Sequence, residues 1–322
     1  VLQGTPLEHS ISSIHAVAST LVVLCVLAVA PALVRFAWDL VPLPEGQTRG
    51  AISSVMASRR IRVIGPMVWR TGGDSVNAAI LGAIFPFRYM VFTDALLASV
   101  PLRQIQAVTA HEIAHVRLHH MPWMMVCVVS SVYALGWVAA IGAWAMGIST
   151  ESETATLVVS VAMLLPVAWL FGIVSRRMEW QADAYAARVL TEIVPVEPAN
   201  ASELGGLDAP SAGAAPLDGA GTEPRPHPDH ASLAASGPTR ITPEAAAAVV
   251  GALQTVADLN SMNPAARSFR HGSIRTRQNR ILALVGQDVS RLAIDRTVRW
   301  IKWGAVAAIA CAAVLHVVAE LL

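Results

Sequence analysis

Apolar and polar residues are sorted along this chain into long blocks. Four stretches carry no charge over roughly bilayer length: Ala16 to Val34, Met121 to Thr150, Thr154 to Ser175 and Trp303 to Ala319. At about 1.5 Å per helical residue, the first just spans a hydrocarbon core of about 30 Å, and the second crosses it with tilt. The last is the shortest, is interrupted by His316, and is preceded by Trp300, Lys302 and Trp303, which suit an interface anchor. Val76 to Phe87 is apolar but too short to span, and Pro86, Arg88 and Asp94 break it up, so it reads as strand or core. Between the first two blocks the period changes. Arg59 to Trp69 alternates through Ile61, Val63, Ile64 and Val68, and Tyr89 to Thr93 follows as a second short strand of a small sheet. Pro86 cannot donate to a ladder, which suits an edge. Leu102 to His119 then takes the helical period, with Leu102, Ile105, Val108, Ile113 and Val116 on one stripe.

Composition agrees with this sorting. Of 322 residues, 54% are hydrophobic and 14% charged, against about 25% charged in a soluble domain. This excludes a disordered chain and a coiled coil. A net charge of +1 leaves no field for nucleic acid, which is not expected as a partner. Arg35, Arg49, Arg59, Arg60, Arg62, Arg70, Arg88, Arg103 and Arg117 lie between the first and second spans, whereas Gly147 to Glu153 carries only Glu151 and Glu153. The positive-inside rule makes the arginine-rich side cytoplasmic, and Arg176 onward returns to it. The chain starts at Val1, so its true start is expected to be absent or processed, and Leu2 to Ser10 lacks a basic signal-peptide region. Cys25, Cys127 and Cys311 all fall inside spans as small hydrophobes.

Thr191 to Ile241 shifts to Pro, Ala, Gly and Ser and reads as a flexible insertion in which His227 and His230 are solvated. Order resumes at Thr242-Pro243-Glu244, a cap followed by proline at the first helical position, and the helix runs to about Leu259 before Asn260 to Pro264 stops it.

The Leu102 helix ends in His111-Glu112-Ile113-Ala114-His115. Histidines at i and i+4 share a helical face, so both imidazoles reach one Zn2+, with Glu112 beside them to take a proton from bound water. A catalytic zinc needs a third protein ligand. After the third span, Glu179 and Asp183 again stand at i and i+4. Glu179 can ligate, and Asp183 can accept the second ring N–H of a histidine ligand; a solvated acidic face is the bland alternative. Two spans separate His115 from Glu179, so both motifs emerge on one side of the bilayer. His119, a turn beyond His115, is a competing donor, although with His120 it is expected at the membrane interface before Pro122 and Trp123. His316 is a functional candidate because it is an ionisable group within a span.

These segments resemble the integral-membrane zinc metallopeptidases that include the CAAX prenyl protease and the bacterial HtpX heat-shock proteases. The resemblance runs over Ala51 to Leu190 and Asn260 to Leu284, carried by Asn77-Ala78, Thr93 to Leu97, His111 to His115, Glu179 with Asp183, and Arg270-His271-Gly272-Ser273. It implies one Zn2+ held by His111, His115 and Glu179, with Glu112 as general base and Asp183 behind the ligands. It further implies Asn77 and Ala78 as substrate-binding residues on an edge strand, and His271 and Arg277 as catalytic transition-state stabilisers. Gly272 stands where many relatives have proline.

The resulting expectation is a mostly α membrane protein with about four transmembrane helices and a zincin-like α+β metallopeptidase domain. Its parts are an N-terminal span (1–40), a cytoplasmic part with the HExxH helix (41–120), a transmembrane hairpin (121–176), the ExxxD helix (177–191), the insertion (192–241), the rest of the peptidase domain (242–299) and a last span (300–322). The expected activity is zinc metalloendopeptidase, acting in an inner or plasma membrane on membrane-associated peptide or protein substrates at the cytoplasmic face. The alternatives are the peptidase domain of a receptor-type signal transducer and a catalytically silent scaffold, whose signature would be a lost ligand or a lost Glu112.

Overall fold

The computed structural model describes residues 37–82, 87–147, 153–193 and 239–321, with a few isolated positions before and between them. In chain order the elements are β1 (Leu40–Pro42), α1 (Gln47–Ser58), β2 (Ile64–Trp69), β3 (Ala78–Leu81), β4 (Tyr89–Thr93), α2 (Asp94–Ser99), α3 (Leu102–Arg117), α4 (His120–Ala145), α5 (Glu153–Glu192), α6 (Pro243–Leu259), α7 (Ile274–Leu282) and α8 (Ala293–Leu321). The fold is mostly helical with one small mixed sheet, as expected from the sequence.

The sheet order is β1-β2-β4-β3, with β2 and β4 parallel and the outer pairs antiparallel. All five residues of β4 are buried, as suits an inner strand covered on both faces. The edge strand beside β4 is β3, formed by the apolar stretch too short to span, with Ala78 opposite Phe92 and Ile80 opposite Met90. Gly82 ends it at φ +92°, where a Cβ would collide with the Phe87 carbonyl, so only glycine fits the turn. The expected strand from Arg59 is shorter at its start: Arg60 takes φ 49° in the turn after α1, and pairing begins at Ile64. Pro86 lies outside the described residues.

One main core joins Ile52 and Val55 of α1, Met90 and Phe92 of β4, Ile105 and Ile113 of α3, Val189 and Leu190 of α5, and Val249 of α6. Thr242 caps α6 by accepting the Ala245 amide, with Pro243 at the first helical position. Ser273 caps α7 by accepting the Thr276 amide. These caps start the two helices where their buried faces meet the core.

Among the described residues three helices are long and apolar enough to cross a membrane: His120–Ala145, Leu157–Glu192 and Ala293–Leu315. The span expected over Ala16 to Val34 lies outside the described residues, apart from isolated positions. The expected hairpin arm and ExxxD segment form one 40-residue helix, α5, about 60 Å long and so about twice a hydrocarbon core. Similarly, α8 begins at Ala293, earlier than the expected last span. Residues 194–238 lie outside the described residues, but both ends expected for the insertion are ordered: Thr191 is buried in α5, and Ile241 is buried with its amide donating to the Gln287 carbonyl.

Candidate metal centre

The HExxH helix α3 packs against α5 through alanines. Ala107, Ala110 and Ala114 on α3 and Ala182 and Ala186 on α5 are all fully or nearly fully buried in the same core. Small side chains let two helices approach closely, so polar side chains projecting from both can converge. His111 and His115 thus face Glu179. The three donor atoms lie within 4.8 Å of one another. His111 Nε2 is 3.3 Å from His115 Nε2, and Glu179 carboxylate oxygens lie 3.6 and 3.7 Å from those two nitrogens. A zinc ion bound at about 2.0–2.1 Å in a tetrahedron separates its donors by about 3.3–3.4 Å. Two imidazole nitrogens and a carboxylate, with contacts of 3.3 to 3.7 Å between them, are close to that spacing and are a donor set of the type zinc takes.

Around the donors is a second ring of contacts. His111 Nδ1 lies 3.0 Å from Asp183 Oδ1. Asp183 in turn accepts from both Nε and Nη2 of Arg277, at 2.8 and 2.7 Å. Asp183 thus stands between the His111 ring and the Arg277 fork, which is committed to it. Only Nη1 faces the donors, 3.7 Å from Glu179. His271 Nδ1 lies 3.0 Å from Glu179 Oε2, with about half of its side chain exposed. Behind the other ligand, His115 Nδ1 is 3.1 Å from Nδ1 of His120.

The electrostatics follow from burial among these charges. Burial opposes a charged His111 ring, yet the hydrogen bonds to Asp183 and Glu179 outweigh it and raise its pKa. A cation bound there takes the neutral ring and releases that proton. His115 is driven down by burial and then by the charge on His111. Burial is the largest influence on Glu112 and pushes its carboxyl up to about 7, with His111 opposing. Burial disfavours the Arg277 charge, but Asp183 overrides it and holds the guanidinium firmly protonated.

A cavity of about 960 Å3 opens over the donors. It brings together the site residues implied by the family resemblance: Asn77, Ala78, His111, Glu112, His115, Glu179, Asp183, His271 and Arg277 all line it. One wall is β3. The Asn77 side chain just before it accepts from the Ala78 amide at 2.9 Å, and the Ile80 amide donates to Glu112. The lining also includes Met121, Pro122 and Met124 at the start of α4, so the cavity reaches a helix long and apolar enough to cross a membrane.

The expectation for His120 at the membrane interface needs correction. His119 is exposed and stays outside the donor set. It adopts a left-handed backbone, φ 56° and ψ 42°, which ends α3 and starts α4 in a new direction. That turn folds His120 inward, where it is fully buried against His115. Sequence reasoning also passed over Gln181, on the helix of Glu179 and Asp183, and Asp295, the acid in the first turn of α8. An acid directly before a span was a signal available to find Asp295. The side chain of His316 and the positions of Cys25, His227 and His230 lie outside what is described. Cys127 is buried and Cys311 exposed, both as free thiols. Lys302 donates to the Leu118 carbonyl at 2.9 Å and lies over the Trp123 ring, tying α8 to the end of α3.

No curated protein matches the chain in sequence. Among solved structures, the crystal structure of S. mikatae Ste24p is similar at a TM-score of 0.46 and 17% identity, covering 82% of this chain. The chain spans 56% of that protein's length. The sequence profile of Peptidase family M48 matches residues 51–239. As this match covers more than half of the 322 residues and encloses the entire donor set, the chain belongs to peptidase family M48, a family of zinc metalloproteases.

Proposed function

We propose that the chain is a membrane-embedded, zinc-dependent endopeptidase that hydrolyses peptide bonds at the cytoplasmic face of an inner or plasma membrane. The observation that carries this reading is the spacing of His111, His115 and Glu179, 3.3 to 3.7 Å between donor atoms, beside a half-buried Glu112. Zinc held by these three residues would acidify water and polarise the scissile carbonyl.

The remaining steps belong to the protein. Glu112 takes the proton of the attacking water and delivers it to the leaving amine. His271, reaching the cavity from a half-exposed position, donates to the developing oxyanion. Arg277 holds Asp183 against His111, and its free Nη1 adds positive charge on the same side. The edge strand β3 offers its backbone to an extended substrate, with Asn77 and Ala78 at the entrance. Such pairing reads main chain, so selectivity comes from access, and the cavity wall on α4 favours peptides that reach it from the membrane.

The test uses the full chain in detergent. It is expected to hold about one zinc, and Glu112→Gln is expected to lose at least about 100-fold in peptide hydrolysis while keeping the metal. Undiminished cleavage by that variant would sink the mechanism. Topology is tested separately by Ser152→Cys in a chain without its three native cysteines. Labelling of that cysteine only from the cytoplasm would place the active site on the other side.

A further inference from the structure

The two histidine ligands are held differently. His111 meets a carboxylate directly, whereas His115 meets another imidazole, fully buried His120. Both ring nitrogens of His120 are engaged: Nδ1 at 3.1 Å from His115 Nδ1, and Nε2 at 3.1 Å from Gln181 Oε1. Buried Gln181 donates through Nε2 to Asp295 Oδ1 at 2.7 Å, and the other Asp295 oxygen accepts from Arg188 at 2.7 Å. The chain of contacts therefore runs from the first turn of α8, through α5 and the first residue of α4, to the metal-binding face of α3.

Its direction is set by chemistry at the far end. An ionised Asp295 carboxylate can only accept, so Gln181 must turn its NH2 toward it and its carbonyl oxygen toward His120. That oxygen requires a proton on His120 Nε2, and a neutral ring then leaves Nδ1 as an acceptor. His115 must accordingly carry its proton on Nδ1, which leaves the Nε2 lone pair free on the donor face. Turning over any link would put a proton on the nitrogen that must ligate. The geometry points to His120, Gln181 and Asp295 as positioning residues, a one-way hydrogen-bond relay that fixes the tautomer of His115 and makes metal affinity depend on the docking of α8. This rests on the zinc reading above. It also gives the site a symmetry: Arg277 and Asp183 orient one ligand directly, and Arg188 and Asp295 orient the other through two intermediates.

The experiment measures Zn2+ affinity of the full chain in detergent by chelator competition, together with the thermal midpoint of each variant without added metal. His120→Leu removes the acceptor and is expected to weaken zinc binding about 10–100-fold, the usual cost of losing a partner behind a ligand. His120→Asn, whose amide oxygen can stand near the position of Nδ1, is expected to recover part of that loss. Polarity is tested by exchange. Gln181→Glu sets two carboxylates against each other and weakens binding, and adding Asp295→Asn supplies a donor again and restores affinity. This series decides the matter even if His120→Leu fails to fold. Native zinc affinity in His120→Leu, a shift in thermal midpoint alone, or no recovery in the exchanged pair overturns the relay. Absence of stoichiometric zinc in the unaltered chain overturns the metal reading and the relay together, whereas stoichiometric zinc with indifferent variants overturns only the relay.

Discussion

The two halves of α5 have opposite insides and outsides. In the first half Leu157, Val161, Leu165 and Trp169 point away from the protein, and Leu165 is 79% exposed. In the second half the buried positions include Met178, Glu179, Ala182, Asp183 and Ala186, and Asp183 is 1% exposed. One continuous helix thus turns apolar side chains outward and then charged side chains inward. The surroundings explain both. Lipid accepts Leu and Trp without cost and rejects charge, so the first half needs no partner for its apolar face. The second half packs against the rest of the protein and can bury carboxylates because Arg277, His111 and His271 satisfy them. Burial therefore carries different information in the two halves, and the consequences of substitution should be inverted relative to a soluble protein.

The strongest test of this contrast is Asp183→Ala. It leaves Arg277 buried without its partner and should cost about 3–5 kcal/mol of stability in detergent. A loss below about 1 kcal/mol would mean that water reaches the site freely. Ala186→Leu comes next, because Ala186 is fully buried where α5 enters the core. Forcing a larger side chain there should cost about 1–3 kcal/mol, read as a lowered thermal midpoint.

Asp94 sharpens the comparison from the solvated side. The Thr71 hydroxyl, then the amides of Ala95, Thr71 and Gly72, lower its pKa to about 2 against a modest burial effect. A depressed carboxylate contributes stability that is present above about 4 and is lost as pH falls toward 2. Asp94→Asn should therefore lower stability at pH 7, where the ionised carboxylate makes its contribution, flatten acid unfolding in that window, and change little near pH 2. An identical acid limb in the variant would remove Asp94 from the account. The smallest effect is expected for Leu165→Ala, within about 0.5 kcal/mol in detergent. A loss of several kcal/mol would show that this face packs against protein and not lipid.

Much of the centre was legible because its signals are local. His111 and His115 share a face by helical periodicity alone, and Glu179 and Asp183 do the same. The cap at Thr242 and Pro243 was readable for a similar reason, since it depends on adjacent residues. His120 was misplaced because its neighbours are apolar and its environment depends on the left-handed backbone at His119, which no periodicity announces. Arg277 was recognised as part of the site, but its engagement with Asp183 across 94 positions is a matter of packing.

By itself the sequence determined which stretches prefer lipid, which helix carries the metal-binding face, and which acids stand ready to complete it. These follow from composition and helical geometry, properties of short segments. Only the tertiary structure decided what stands behind each ligand. His120 meets Gln181 across 61 positions, and Gln181 meets Asp295 across 114. Such contacts arise when the chain buries its apolar faces and its polar side chains must find partners inside, and that requirement is met only once all the helices are in place.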